Sequence, residues 1–156
     1  MNWKCLMLCV NILWLLACRS DMEKAETSFN TYFVTLNQMA EHINTEVKNG
    51  TYTDSAVIIV FVKKPQYSPN NNFIFDPYLR DLMDKSSIKQ ITCYTTNAKK
   101  CGYLGEISFQ FEDNIMNSDK VYYFIYNRCD ENKGYKKKFL SQKKMRKKWV
   151  VLIDET

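Results

Sequence analysis

Residues 20–50 read SDMEKAETSFNTYFVTLNQMAEHINTEVKNG, and this stretch decides the fold. Its apolar residues recur every three or four positions: Met22, Ala25, Phe29, Tyr32, Phe33, Leu36, Met39, Ala40, Ile43 and Val47. That spacing predicts one long helix with a broad apolar face. At 1.5 Å per residue the helix would be about 40 Å long, enough to cross a whole sheet.

Local signals predict where this helix begins and ends. Ser20 and Glu23 have the spacing of a capping box, in which the serine caps the helix and the glutamate reaches back. Asn49 and Gly50 are typical of a helix C-terminus. The helix should therefore run from about residue 21 to about residue 48.

The rest of the chain predicts a second helix and five strands. Residues 56–62 read AVIIVFV, a continuous apolar run rich in β-branched residues that favours a strand buried on both faces. Asp76 and Pro77 favour a helix start, with the carboxylate as cap and the proline at the first helical position. Alternating or apolar runs predict further strands at about 88–95, 103–111, 120–128 and 148–154.

The resulting order, α-β-α-β-β-β-β, predicts an α+β fold. We expect the long N-terminal helix to pack across an antiparallel-rich sheet of about five strands. Cystatin-like and nuclear-transport-factor-like cones are similar in architecture. This is an analogy of shape, and function does not follow from it.

Residues 15–18 read Leu-Leu-Ala-Cys and resemble the lipobox of bacterial lipoproteins. The preceding apolar run, from residue 5 to residue 17, is shorter than the roughly 20 residues of a membrane-spanning helix. The resemblance implies a signal peptide at 1–17, cleavage before Cys18 and lipid attachment there. Residues 18–156 would then form a single globular domain. An ordinary signal peptide cut after Ala17 or Ser20 is the alternative.

The same resemblance sets the expected location and partners. A lipid on Cys18 would tether the domain to a membrane of the bacterial cell envelope. Arg19 stands where, by resemblance to known sorting rules, an aspartate would hold some lipoproteins at the inner membrane. We therefore expect the outer membrane rather than the inner one.

The positive charge is concentrated in one stretch. The formal net charge is +5, and residues 133–148 hold nine Lys or Arg and no acid. Candidate contacts to an anionic partner are Lys136, Lys137, Lys138, Lys143, Lys144 and Arg146. The alternative is a solvated hairpin that joins the last two strands. Nucleic acid is not an expected partner of an exported lipoprotein.

The downstream cysteines suggest one disulfide, because export implies an oxidising compartment. A register that sets Ile107 opposite Tyr123 brings Cys101 opposite Cys129, within bridging distance. We expect a Cys101–Cys129 disulfide and a buried free thiol at Cys93. A Cys93–Cys101 bridge is the alternative, since strand registers slip easily.

This register also predicts a candidate binding face on the sheet. It places Tyr94, Glu106, Tyr122 and Tyr126 together, on the face opposite the long helix. Tyrosines beside hydrogen-bonding groups are typical of small-molecule and sugar sites. The alternative is that the shorter helix covers this face.

No catalytic motif accompanies these features. His42 is the only histidine, and the sequence holds no zinc, phosphate-loop or nucleophile-elbow pattern. We expect no cofactor or metal and, rather than an enzyme, a binding or accessory module for a small molecule, sugar or protein. An inhibitor of an exported enzyme or toxin, or a small hydrolase-like enzyme, are the alternatives.

Lipid attachment at Cys18 is directly testable. Radiolabelled palmitate should enter the wild-type chain expressed in a bacterium and be lost in Cys18→Ser, because that thiol is the acylation site the lipobox resemblance implies. Labelling is measured on the purified protein, with Cys93→Ser as the control that retains the label. Equal labelling of wild type and Cys18→Ser would contradict the lipoprotein interpretation.

Overall fold

A computed structural model describes residues 21–52, 58–63, 73–94, 105–111, 120–127 and 141–155. The two described helices are α1 (Asp21–Lys48) and α2 (Pro77–Lys85). The seven described strands are β1 (Ile58–Val62), β2 (Phe73–Ile74), β3 (Ile88–Tyr94), β4 (Glu106–Phe111), β5 (Lys120–Asn127), β6 (Ser141–Arg146) and β7 (Trp149–Glu155).

All seven strands form one mixed sheet in the order β2-β1-β3-β4-β5-β7-β6. β1 and β2 pair in parallel, and every other neighbouring pair is antiparallel. The predicted α+β class with a long N-terminal helix is confirmed, and so is the antiparallel meander of β3, β4 and β5. The predicted count of five strands is wrong, because β2 and β6 add one strand at each edge.

The two missed strands carry weak sequence signals. β2 has only two residues and follows a stretch rich in proline and asparagine. β6 reads SQKKMR, which lacks the alternation of apolar and polar residues that predicts a strand. The basic segment is therefore not only a loop between the last two strands, since residues 141–146 form the edge strand.

Helix α1 ends as the sequence predicts. Gly50 has a φ of 76°, a left-handed conformation that glycine adopts without steric cost. The Gly50 N–H donates to the carbonyl of Val47, and the Thr51 N–H donates to the carbonyl of Glu46. These two bonds form a Schellman motif, which satisfies carbonyls left unpaired at a helix end.

The core lies between α1 and one face of the sheet. Phe29 is fully buried, and its ring centroid lies 5.5 Å from those of both Phe124 on β5 and Trp149 on β7. Further along the helix, Tyr32 contacts Phe111 on β4. Helix α2 packs beside α1 and β3 on the same face, and it buries Leu79 and Met83 in the same core.

The pairing of β4 with β5 differs from the predicted register. Ile107 lies opposite Tyr126 rather than Tyr123, and Phe109 lies opposite Phe124. The prediction was wrong by three residues. Because side chains alternate between the faces of a strand, an odd shift exchanges the two faces of β5. Tyr122, Phe124 and Tyr126 therefore face α1, while Tyr123 and Ile125 lie on the other side.

Removing the Phe29 ring should strongly destabilise the fold. Phe29→Ala should lower the free energy of unfolding by about 3–5 kcal/mol, because the ring is fully enclosed and leaves a cavity. Urea denaturation measures the change. Val34→Ala on the same helix is the control, since Val34 is 68% exposed, and it should change stability by less than about 0.5 kcal/mol. Equal losses in the two variants would contradict the placement of the core.

Candidate functional site

A groove crosses the face of the sheet opposite α1, with a cavity volume of about 220 Å³. Strands β3 and β4 contribute Tyr94, Glu106 and Ser108 to its lining, and β5 and β7 contribute Tyr123, Ile125, Leu152 and Asp154. These residues follow a diagonal of the sheet: each step from β4 towards β7 also moves along the strands. The lining residues therefore run obliquely to the strands.

The floor of the groove is apolar. Leu152 is 1% exposed and Ile125 is 3% exposed, so both side chains form a closed bottom rather than part of the rim. Ser108 is 9% exposed and brings a hydroxyl into this floor. Within the described residues, no hydrogen bond engages the Ser108 side chain. The floor therefore combines a hydrocarbon surface with one hydroxyl available to a ligand.

The two ends of the groove carry acidic groups. Glu106 lies on β4 beside Tyr94, at one end. Asp154 lies on β7 at the other end, and it is partly buried. No ion pair or hydrogen bond engages the Asp154 carboxylate in the part of the chain that the structure describes. A half-buried carboxylate without a partner is an electrostatic site for a cation.

Tyr94 stays neutral at physiological pH. Burial raises the pKa of its hydroxyl, and the nearby Glu106 carboxylate raises it further. The ring is 38% exposed at the mouth of the groove. Tyr94 therefore offers an aromatic surface and a hydroxyl that keeps its proton.

The two acids are too far apart to act on one bond. Glu106 pairs with Asn127 of β5, and Asp154 pairs with Val121, six residues away on the same strand. At the rise of a β-strand their Cα atoms are roughly 20 Å apart. In glycosidases the two carboxyl groups are about 5–10 Å apart. One Asp and one Glu side chain are too short to bring their carboxyl groups that close from these Cα positions. This geometry argues against acid–base catalysis by the pair and favours contact with two ends of one ligand.

The structure separates the four residues of the predicted binding face. Tyr94 and Glu106 line the groove together, as expected. Tyr122 and Tyr126 lie on the face of α1, where Tyr122 is 3% exposed and Tyr126 packs against Trp149. Their predicted place on the binding face is wrong because of the register shift in β5.

The sequence prediction missed four groove residues: Tyr123, Ile125, Leu152 and Asp154. The wrong register assigned Tyr123 and Ile125 to the helix face. Asp154 lies at the end of the last strand, outside the three strands whose register was predicted. A signal was present in residues 149–155, which read WVVLIDE, since a charged residue follows an apolar strand.

Four of the cysteines bear on the earlier expectations. Cys93 is a free thiol and fully buried, as predicted, and burial raises its pKa. Cys101 and Cys129 lie outside the described residues, so their disulfide stays a prediction, and the register that suggested it is not the observed one. Cys18 also lies outside the described residues.

The described part of the basic segment is attached to α1. Lys143 forms an ion pair with Glu26, and the Arg146 guanidinium lies 4.2 Å above the centre of the Phe33 ring. Lys144 is exposed on the edge strand β6. Lys136, Lys137 and Lys138 lie outside the described residues. Two of the candidate anion contacts therefore hold β6 against the helix, which is a structural role.

A second polar cluster joins α1 to α2 through one carboxylate. Asp76 accepts hydrogen bonds from the Tyr52 hydroxyl at 2.6 Å and from the Leu79 N–H at 3.0 Å. The Nε2 atom of His42 lies 3.0 Å from the same carboxylate, and the His42 ring packs on Tyr78 at 4.6 Å. The predicted cap of α2 by Asp76 is confirmed, with Pro77 in the first turn.

This cluster has a structural role, because it joins α1 to the start of α2. Within the described ranges, His42 contacts Asp76 and Tyr78 rather than a serine or cysteine, so no activated nucleophile is present. Burial alone would raise the pKa of Asp76, but the bonds from Tyr52, Leu79 and His42 lower it below its usual value. Burial and the Asp76 carboxylate raise the pKa of Tyr52.

Comparison with known proteins gives no assignment. No protein-family model, no curated protein and no solved structure matches this chain. The described residues contain no group of His, Cys, Asp or Glu side chains that could hold a metal ion. Among the same residues, no helix is long and apolar enough to cross a membrane.

Loss of the Asp76 carboxylate should destabilise the domain in a pH-dependent way. Asp76→Ala should lower the free energy of unfolding at pH 7 by about 2–4 kcal/mol, because it removes a helix cap and leaves the Tyr52 hydroxyl unpaired. Urea denaturation at several pH values measures this loss. Asp81→Ala, an exposed acid on the same helix, is the control and should cost less than about 0.5 kcal/mol.

The sign of the pH effect follows from the lowered pKa of Asp76. Its stabilising contribution is complete at pH values above the unfolded pKa, about 3.8, and is lost as the pH falls through the lower folded pKa. The difference between wild type and Asp76→Ala should therefore shrink in strong acid. A difference independent of pH would contradict the role of the ionised carboxylate.

Proposed function

We propose that this chain is a membrane-anchored lipoprotein of the bacterial cell envelope whose domain binds a small molecule in the groove. The observation that carries the proposal is a lined cavity with an apolar floor, into which Ser108 brings a hydroxyl and Asp154 a carboxylate. Neither group has a hydrogen-bond or ion-pair partner within the described residues. Convergent polar groups around an apolar floor are the usual composition of a ligand site. The domain acts as a binding module rather than an enzyme.

The two faces of the sheet support this division of roles. The face under α1 is filled by large aromatic side chains that the core requires. The groove on the opposite face is lined by two tyrosines, a serine and two acids around the apolar side chains of Ile125 and Leu152. Side chains that contact a ligand on this face can therefore be substituted without removing the hydrophobic packing under α1 that stabilises the fold.

The proposed anchor fits the position of α1. The helix begins at Asp21, three residues after Cys18. Lys120 at the start of β5 forms an ion pair with Asp21 at 2.5 Å, which attaches the first helical turn to the sheet. A lipid on Cys18 would therefore hold the domain close to the membrane surface, with little linker between them.

Binding in the groove is tested with three probes on the purified full chain. Maltose, succinate and spermine represent neutral, anionic and cationic small molecules, and saturation-transfer NMR reports which of them binds. At least one should bind the wild type, and Tyr94→Ala should weaken it about tenfold because the ring forms the mouth of the groove.

Tyr78→Ala is the matched control. Tyr78 is 50% exposed and lies on α2 rather than in the groove, so this variant should bind as the wild type does. The proposal fails if none of the three probes binds, or if Tyr94→Ala and Tyr78→Ala bind the probe equally well.

A further inference from the structure

We infer that the ligand of the groove is a linear aliphatic polyamine, bound with one ammonium group at Asp154 and another at Glu106. This inference rests on the proposed small-molecule function and names its ligand class. It follows from the placement of the two acids, the floor between them and the shape of the cavity.

Asp154 is the primary cation contact. Its carboxylate lines the groove, is partly buried and has no ion pair or hydrogen bond within the described residues. A carboxylate in that position gains from a charge-assisted hydrogen bond to an ammonium group, which is about twice as strong as a neutral one. An anionic ligand would meet repulsion at this end.

Glu106 supplies the second charge at the far end. The Cα atoms of the two acids are roughly 20 Å apart by strand register, and their side chains reduce the gap that a ligand must bridge. A tetraamine of spermine length bridges such a gap, whereas a four-carbon diamine reaches only one end. Tyr94 lies beside Glu106 on the neighbouring strand and adds an aromatic ring to this end of the groove, a group that attracts ammonium ions.

The segment between the acids fits a polymethylene chain. Ile125 and Leu152 form an almost fully buried apolar floor, on which methylene groups would be removed from water. The Ser108 side chain is 9% exposed and lines the groove, and its hydroxyl has no partner in the described part of the chain. This hydroxyl accepts a hydrogen bond from an internal secondary ammonium. Alternating apolar and accepting groups match the alternation of methylene and amine groups in a polyamine.

The size of the cavity favours a slender ligand. Its volume is about 220 Å³, below the roughly 300–1,000 Å³ of pockets that hold drug-sized molecules. The lining residues follow a diagonal across four strands. A flexible chain can contact groups placed along such a line, whereas a disaccharide has two bulky rings.

Calorimetric titration of the purified full chain at low ionic strength tests the inference, with spermine, putrescine and maltose as probes. Spermine should bind at least about tenfold more tightly than putrescine, and maltose should not bind. Asp154→Asn should weaken both amines about tenfold. Asp81→Asn, an exposed acid on α2, should leave both affinities unchanged.

Glu106→Gln separates the two ends of the site. It should weaken spermine about tenfold while leaving putrescine unchanged, because the short diamine does not extend from Asp154 to Glu106. Circular dichroism confirms that the variants are folded, and Glu106→Gln remains decisive if Asp154→Asn does not fold.

Several results would overturn the polyamine assignment. These are a spermine Kd weaker than about 1 mM, equal affinities of Asp154→Asn and Asp81→Asn, or equal loss of both amines in Glu106→Gln. Maltose or succinate bound in a Tyr94-dependent manner, without spermine, would remove the polyamine assignment and keep the groove as a small-molecule site. Absence of binding by every probe would remove both.

Discussion

The packing of Phe29 on the sheet is the contact on which the rest of the structure depends. This ring lies against Phe124 and Trp149, side chains of two neighbouring strands. Their burial holds α1 against one face of the sheet, and that face is filled by hydrophobic packing. The opposite face is then the one on which polar groups can collect, and the groove forms there.

Elements with a strong local signal could be predicted from the sequence, and those without one could not. Helix α1 has a 3.6-residue period and a glycine stop, and α2 has an Asp-Pro start, so both were expected at nearly their observed positions. The edge strands β2 and β6 depend instead on pairing with a neighbour. Pairing is a tertiary interaction. Neither the two residues of β2 nor the SQKKMR sequence of β6 has a local pattern that predicts a strand.

The faces of β5 could not be predicted, for a related reason. Its sequence, KVYYFIYN, is apolar or aromatic at both alternating sets of positions. Alternation therefore did not show which of the two sets of β5 side chains faces α1. The face could be assigned only from the register between β4 and β5, which the sequence pattern left open. The place of Glu106 on the groove face of β4 was predicted because EISFQF alternates strictly.

Two carboxylates of this domain, Asp76 and Asp154, differ in whether they have hydrogen-bond partners within the described residues. Asp76 receives hydrogen bonds from a backbone amide and a tyrosine and contacts a histidine, so its charge is satisfied within the protein. Asp154 is partly buried but has no such partner among the described residues. A bound cation would give this carboxylate a charge-assisted hydrogen bond. The proposed binding site is therefore the groove rather than the His42–Asp76 cluster, whose carboxylate already has its partners.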